Sequence, residues 1–157
     1  MDRYALRIEI DELYADYVAC LDDDELERWP EFFTDSCLYK IVPRENYERD
    51  LPLALMMCES QGMLRDRVAA VRKTSVFAPR ALRHLVGSIR INEEPDGGLR
   101  VRANFVLMQS TIDQGVAVFN AGQYLDRLVR LDGRLKFQEK LCILDGSLIA
   151  GSLIYPI

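Results

Sequence analysis

Apolar residues in the first twenty positions recur at spacings of three and four: Leu6, Ile10, Leu13, Tyr14, Tyr17 and Val18. That period predicts an amphipathic helix over Arg3 to Cys20. A second helix is predicted from Asp22 to Phe33. Asp22 can cap it and Glu25 follows three residues on, an Asp version of the capping box. Asp23, Asp24 and Glu25 also suit the positive end of a helix dipole. Leu26, Trp29, Phe32 and Phe33 give this segment a heavy apolar face, and Pro30 predicts a kink. The run from Cys37 to Val42 reads as a short strand ended by Pro43. After a polar stretch from Arg44 to Asp50, Pro52 predicts a helix start, with an apolar run to Cys58 and a break at Gly62. A further helix is predicted from Met63 to Lys73, with Met63, Leu64, Val68 and Val71 on one side.

Beyond Pro79 the period changes to two. Leu85, Gly87, Ile89 and Ile91 alternate with polar positions, as do Val101, Ala103, Phe105 and Leu107, and later Leu135, Phe137, Leu141 and Ile143. Turns at Asp96-Gly97-Gly98, Asp113-Gln114-Gly115 and Asp132-Gly133 are hairpin signals. A last apolar piece runs from Leu148 to Ile154. These elements predict an α+β fold. Its helices lie mainly in 3–73 and its sheet mainly in 80–154, with one more strand near 37–42. Strands this long must twist and coil. Helices on the concave face would then leave a cone-shaped hollow. At 157 residues the chain is expected to be one domain, 1–157.

Composition narrows the function classes. Hydrophobic residues make 49% and charged residues 29%, a soluble globular profile, and the net charge is −5. An acidic chain lacks the basic stripe of a nucleic-acid binder. The charge is uneven: residues 1–60 hold 6 basic and 16 acidic side chains, and residues 61–157 hold 14 and 9. No apolar run reaches the roughly 18 residues that span a bilayer, and the first residues do not read as a signal peptide. A cytoplasmic location is expected. Cys20, Cys37, Cys58 and Cys142 never fall at C-x-x-C spacing, so they read as buried thiols.

The chain has one histidine, His84. Sites needing two imidazoles from one subunit are therefore excluded, including a two-His-one-carboxylate iron site and a Rieske cluster. His84 is a candidate general base if a carboxylate such as Asp16 or Asp145 stands beside it. A structural histidine bonded to a carboxylate or to backbone is the competing reading. Asp22-Asp23-Asp24-Glu25 lacks the spacing of a calcium loop and reads as a solvated helix start. Arg65, Arg67, Arg72, Lys73, Arg80, Arg83 and Arg90 could meet an acidic partner or form a solvated face. Ser147 and Ser152 have no nearby base and read as turn residues. Gly87, Gly97 and Gly98 do not form a dinucleotide fingerprint.

Several stretches together carry a family resemblance: Trp29-Pro30-Glu31-Phe32-Phe33, Cys37-Leu38-Tyr39, Pro43-Arg44-Glu45-Asn46 and Asp66-Arg67-Val68. The series continues with Arg83-His84-Leu85-Val86-Gly87, Gly122-Gln123-Tyr124-Leu125-Asp126, Leu144-Asp145 and Ser152-Leu153-Ile154-Tyr155-Pro156-Ile157. In this order the chain resembles the small (β) subunit of bacterial aromatic-ring-hydroxylating oxygenases, over essentially its whole length. The look is that of the salicylate 5-hydroxylase, terephthalate and anthranilate branch.

The resemblance implies an NTF2-like (cystatin-like) cone and a non-catalytic role in an α3β3 hexamer. It places the Rieske [2Fe–2S] cluster and the mononuclear non-haem iron in the large (α) subunit, which is served by a ferredoxin and a reductase. It assigns this chain no catalytic, cofactor-binding or metal-binding residue. Two departures stand out. Lys140 replaces an Arg common in relatives, and Pro79-Arg80-Ala81-Leu82-Arg83 differs from the hydrocarbon-oxygenase version, which favours an aromatic acid as substrate. The sheet and the Arg-rich segment are the expected contact surfaces. The last apolar strand and the region around Trp29 are either interface or core. The alternative is a stand-alone dehydratase or isomerase of the same fold, using His84 with a buried carboxylate and Tyr14, Tyr17 or Tyr124 as oxyanion donor. An open pocket would favour that enzyme, whereas a pocket filled by Trp29, Phe32 and Met56 would favour the subunit. A ligand-binding or scaffold domain is the third reading.

Overall fold

The computed structural model describes residues 2–75, 77–146, 149 and 153–157. Helix α1 spans Arg3–Asp22, with Asp2 capping it through the Tyr4 amide. Leu6, Ile10, Tyr14 and Tyr17 of the expected stripe are buried, joined by Cys20 and Leu21, while Leu13 and Val18 are half-buried. A 3-10 segment, Leu26–Phe32, carries Pro30 inside it. Strand β1 is Phe33–Pro43, helix α2 is Arg44–Glu48, strand β2 is Met56–Cys58 and helix α3 is Gln61–Lys73. Four long strands follow: β3 (Arg80–Glu93), β4 (Leu99–Thr111), β5 (Gly115–Leu131) and β6 (Arg134–Leu144).

The strands form one sheet in the order β2-β1-β6-β5-β4-β3. The three predicted hairpins join β3 to β4, β4 to β5 and β5 to β6, all antiparallel. β1 lies one strand in from the β2 edge and runs parallel to β6. Register shifts interrupt β3/β4 at Gly87/Arg90, β4/β5 at Leu107/Met108 and β5/β6 at Arg127/Leu128. Such bulges bend and twist a sheet locally, and Ser88, at φ 53°, sits in the first of them. The result is the predicted α+β cone, with α1 packed on β3 and α3 on β1.

Four local predictions are corrected. Asp22 does not start a second helix. It is the last residue of α1, and the segment after it winds as 3-10. The apolar period of α1 continues through Leu21, and the Asp22 carboxylate has a tertiary partner that outweighs a cap. The helix predicted toward Cys58 is instead strand β2, whose burial alternates at Met56, Met57 and Cys58. A short apolar run fits strand or helix equally in sequence, and here β1 offers it an edge to pair with. Gly62 does not break a helix but lies in the first turn of α3, whose cap is Ser60 accepting from the Met63 amide at 3.2 Å. Of the last apolar piece, Leu153 and Ile154 belong to no strand. Ser147, Leu148 and Ser152 lie outside the described residues.

Candidate functional site

His84 stands on β3, the edge strand that α1 covers. Its Nδ1 lies 2.6 Å from Asp22 Oδ1, and its backbone N–H donates to Asp22 Oδ2 at 2.9 Å. One carboxylate at the end of α1 thus satisfies both an imidazole nitrogen and an edge-strand amide. The His84 side chain is fully buried and its Nε2 has no partner among the described residues. The expected carboxylates are elsewhere. Asp16 lines a surface groove of about 330 Å3 with Glu9, Glu12, Arg28 and Arg134. Asp145 pairs with Arg44 at the surface. The pairing of His84 with a carboxylate holds, but neither named partner supplies it.

The most polar part of the cone interior was not foreseen. The sheet register places Asp126 of β5 opposite Lys140 of β6, with Tyr39 of β1 on the other side of Lys140. Both charged side chains are fully buried, and Lys140 Nζ donates to Asp126 Oδ2 at 3.0 Å. Tyr14 of α1 donates to the same oxygen at 2.5 Å. The ammonium lies 3.4 Å from the centre of the Tyr124 ring and within 5.0 Å of the Tyr14, Tyr17 and Phe137 ring centres. A desolvated cation gains from aromatic faces as well as from its carboxylate. Burial pushes the Asp126 carboxyl above its usual range, and Lys140 and Tyr14 oppose that push. The Tyr14 phenol is raised well above its ordinary value by burial and by Asp126. Alternation with Leu135, Phe137, Leu141 and Ile143 puts Lys140 on the polar face in sequence, and the register shift at Arg127/Leu128 turns it inward, opposite Asp126.

The proposed oxyanion donors are committed or enclosed. Tyr14 serves Asp126, and Tyr17 donates to the Ile157 main-chain oxygen at 2.9 Å. Tyr124 OH is buried with no partner among the described residues. Trp29, Phe33, Tyr39, Phe105, Phe137 and Ile157 are each at most 1% exposed. Trp29 therefore belongs to this chain's own core. Met56 is also buried, while Phe32 is half-buried against Tyr17. Where an isomerase would hold substrate, this cone is packed with its own side chains.

The remaining candidates resolve into surface structure. Asp23 is the C-cap of α1, Asp24 and Glu27 hold Arg72, and Glu25 pairs with Arg28. The basic series is dispersed. Arg67 Nη2 reaches the Leu153 and Ile154 carbonyls at 3.5 and 3.4 Å, Arg80 lies over Phe77, and Arg83 and Arg90 are exposed on β3. All four cysteines are free and buried. Burial pushes the Cys142 thiol up to about 12 and those of Cys20 and Cys37 up to about 11. Among the described residues no cluster of three or more His, Cys, Asp or Glu side chains could hold a metal ion. The single imidazole, already engaged by Asp22, does not fit a Rieske or mononuclear iron ligand set. No helix among the described residues is long and apolar enough to cross a membrane.

Comparison with known proteins agrees with this arrangement. Residues 17–151 match the ring hydroxylating beta subunit family. The chain is 38% identical over 149 residues to the anthranilate 1,2-dioxygenase small subunit of Burkholderia cepacia, covering 95% of this chain and 92% of that one. It is 28% identical over 150 residues to a terephthalate 1,2-dioxygenase terminal oxygenase beta subunit of Comamonas sp., covering 96% and 97%. A crystal structure from Novosphingobium aromaticivorans, described as the beta subunit of an aromatic-ring-hydroxylating dioxygenase, superposes with a TM-score of 0.89. It is 39% identical and 98% of each chain is covered. With a family match over most of its length and the same cone, this chain belongs to the ring-hydroxylating dioxygenase beta subunits.

Proposed function

We propose that this chain is a non-catalytic subunit that assembles and stabilises an α3β3 oxygenase whose large subunit hydroxylates an aromatic acid with O2. The observation that carries the non-catalytic reading is the filled cone, in which His84 is tied to Asp22 and Trp29, Tyr39 and Phe137 occupy the interior. In this reading the Rieske [2Fe–2S] cluster and the mononuclear iron reside in the large subunit, which receives electrons from a ferredoxin and reductase. The chain contributes no catalytic, cofactor-binding or metal-binding residue and works as one domain, 1–157, in the cytoplasm. Its four free thiols fit a reducing compartment. Anthranilate and terephthalate, in the names of two relatives, are both aromatic carboxylates. They support an acid as substrate, and a salicylate-like acid is the specific proposal.

The test is purification with and without the co-expressed large subunit, followed by mass and iron analysis. A complex of six chains, brown with iron only when the large subunit is present, is the expected result. A metal-free monomer or dimer that ignores the large subunit would overturn the proposal.

A further inference from the structure

The outer face of the sheet, opposite the core, carries one continuous row of side chains. Strand register sets Arg90 of β3 opposite Arg102 of β4, and Arg102 opposite Leu125 of β5. Leu125 in turn stands opposite Leu141 of β6, Leu141 opposite Lys40 of β1, and Lys40 opposite Met57 of β2. Arg90, Arg102 and Met57 are exposed, and the three between them are half-buried. Tyr47 of α2, 44% exposed, joins Arg90, Arg102, Leu125 and Leu141 around a groove of about 470 Å3. The cations of this row have no counter-ions: Arg90, Arg102 and Lys40 make no hydrogen bond or ion pair among the described residues. Like charges directly opposite on neighbouring strands destabilise a sheet, and the two arginines stand in that relation. The next rung, by contrast, supplies its own acids. There Glu94 and Glu139 hold Arg100 at 2.9 and 2.5 Å, and Glu94, at 2.7 Å, and Asp96 hold Arg127.

We propose, on the subunit reading above, that this row is a docking surface for the large subunit, which brings carboxylates to Arg90 and Arg102 and an apolar side chain to Leu125, Leu141 and Tyr47. The subunit reading supplies the partner, and the unbalanced charge of the row sets that partner's chemistry: acidic at the β3/β4 end and apolar over β5 and β6. Arginine and tyrosine are enriched at interface cores. Paired guanidinium–carboxylate bonds also fix the orientation of two surfaces. A second copy of this chain fits the row poorly. A two-fold contact centred on the arginines brings four guanidiniums together with no carboxylate between them, because an isologous interface sets each patch against itself.

The test is co-expression with a tagged large subunit of the parent chain, of a chain carrying Arg90→Glu with Arg102→Glu, and of a control carrying Arg65→Glu with Arg134→Glu. The control changes the net charge equally at exposed residues that do not line the groove. Parent and control are expected to co-purify alike, and the Arg90/Arg102 reversal at least about tenfold less, because facing like charges oppose docking. Full assembly of that reversal, or an equal loss in the control, would overturn the proposal. So would a parent chain that self-associates when alone and is made monomeric by the reversal, since the occupant is then a second copy. A parent that ignores the large subunit removes the subunit reading and this surface together. If circular dichroism shows that the reversed chain does not fold, Arg90→Gln with Arg102→Gln decides. These changes relieve the repulsion between the strands, so the free chain should keep or gain Tm while its assembly weakens at least about tenfold. A fall in Tm that accompanies the lost assembly, or assembly left intact, would sink the idea.

Discussion

The Asp126–Lys140 pair shows how much depends on single residues in this core. Removing one partner leaves a buried charge without compensation, which typically costs about 3–5 kcal/mol. Asp126→Ala is therefore expected to lower the unfolding free energy by that order in urea denaturation. The double change Asp126→Leu with Lys140→Met should recover most of the loss, because two apolar groups of similar volume avoid desolvating either charge. A double variant no better than Asp126→Ala would show that the aromatic box around the ammonium dominates. A second residue-scale prediction follows from Glu27, whose carboxyl the Arg72 hydrogen bond holds down to about 2 from an ordinary 4.5. A carboxyl depressed in the folded state stabilises it above pH 4.5, and that contribution disappears as the pH falls toward 2. Glu27 is largely exposed, so the contribution is small. Glu27→Gln should remove this part of the acid-side slope of a stability–pH profile, lowering stability slightly near pH 7 and leaving it unchanged near pH 2.

At the scale of elements, the close approach of β5 and β6 makes Gly122 irreplaceable. A Cβ there would stand 1.9 Å from the Ile143 carbonyl oxygen, a backbone atom that cannot yield without breaking the ladder. Gly122→Ala is expected to cost more than the roughly 1–3 kcal/mol of ordinary overpacking and to appear as insoluble protein or a sharply lowered Tm. At Gly87 a Cβ would meet nothing within 4 Å, and no positive φ is required. Gly87→Ala should be neutral or stabilising by up to about 1 kcal/mol.

The elements also show what the sequence made legible. The four long strands and their hairpins were readable because alternation and Asp-Gly turns are local signals. So was the face of α1 that carries Tyr14 and Tyr17. The parallel pairing of β1 with β6, the identity of β2, and the switch of Asp22 from cap to His84 partner were not. Each depends on a partner far along the chain, at separations that spacing rules do not reach. His84 with a carboxylate could be expected from residue types. That Asp22 is the partner follows only once the end of α1 lies against the edge of β3. Lys140 alternates with Leu141 and Ile143 and so reads as outward-facing in sequence; only the β5/β6 register, with its shift at Arg127/Leu128, turns it inward and directly opposite Asp126.

For the whole molecule, the decisive question is whether His84 does chemistry or holds the fold. The geometry favours the second role: Asp22 uses both carboxylate oxygens to tie the end of α1 to the edge of β3, one to the ring and one to the amide. That bond closes one side of the cone and leaves the imidazole fully buried. His84→Asn is therefore expected to weaken the tie between α1 and β3 and lower Tm by several degrees, since losing a charge-assisted bond costs about 1.5–3 kcal/mol. In the complex assembled with the large subunit, turnover per iron should stay within about twofold of the parent, because no reacting atom lies near this residue in the proposed division of labour. A general base would behave in the opposite way. Its removal would cut kcat by about 100-fold or more at unchanged Tm, with a pH–rate profile that loses its acid limb. Measuring Tm and turnover on the same preparation separates the two roles, because one residue change moves a different quantity in each.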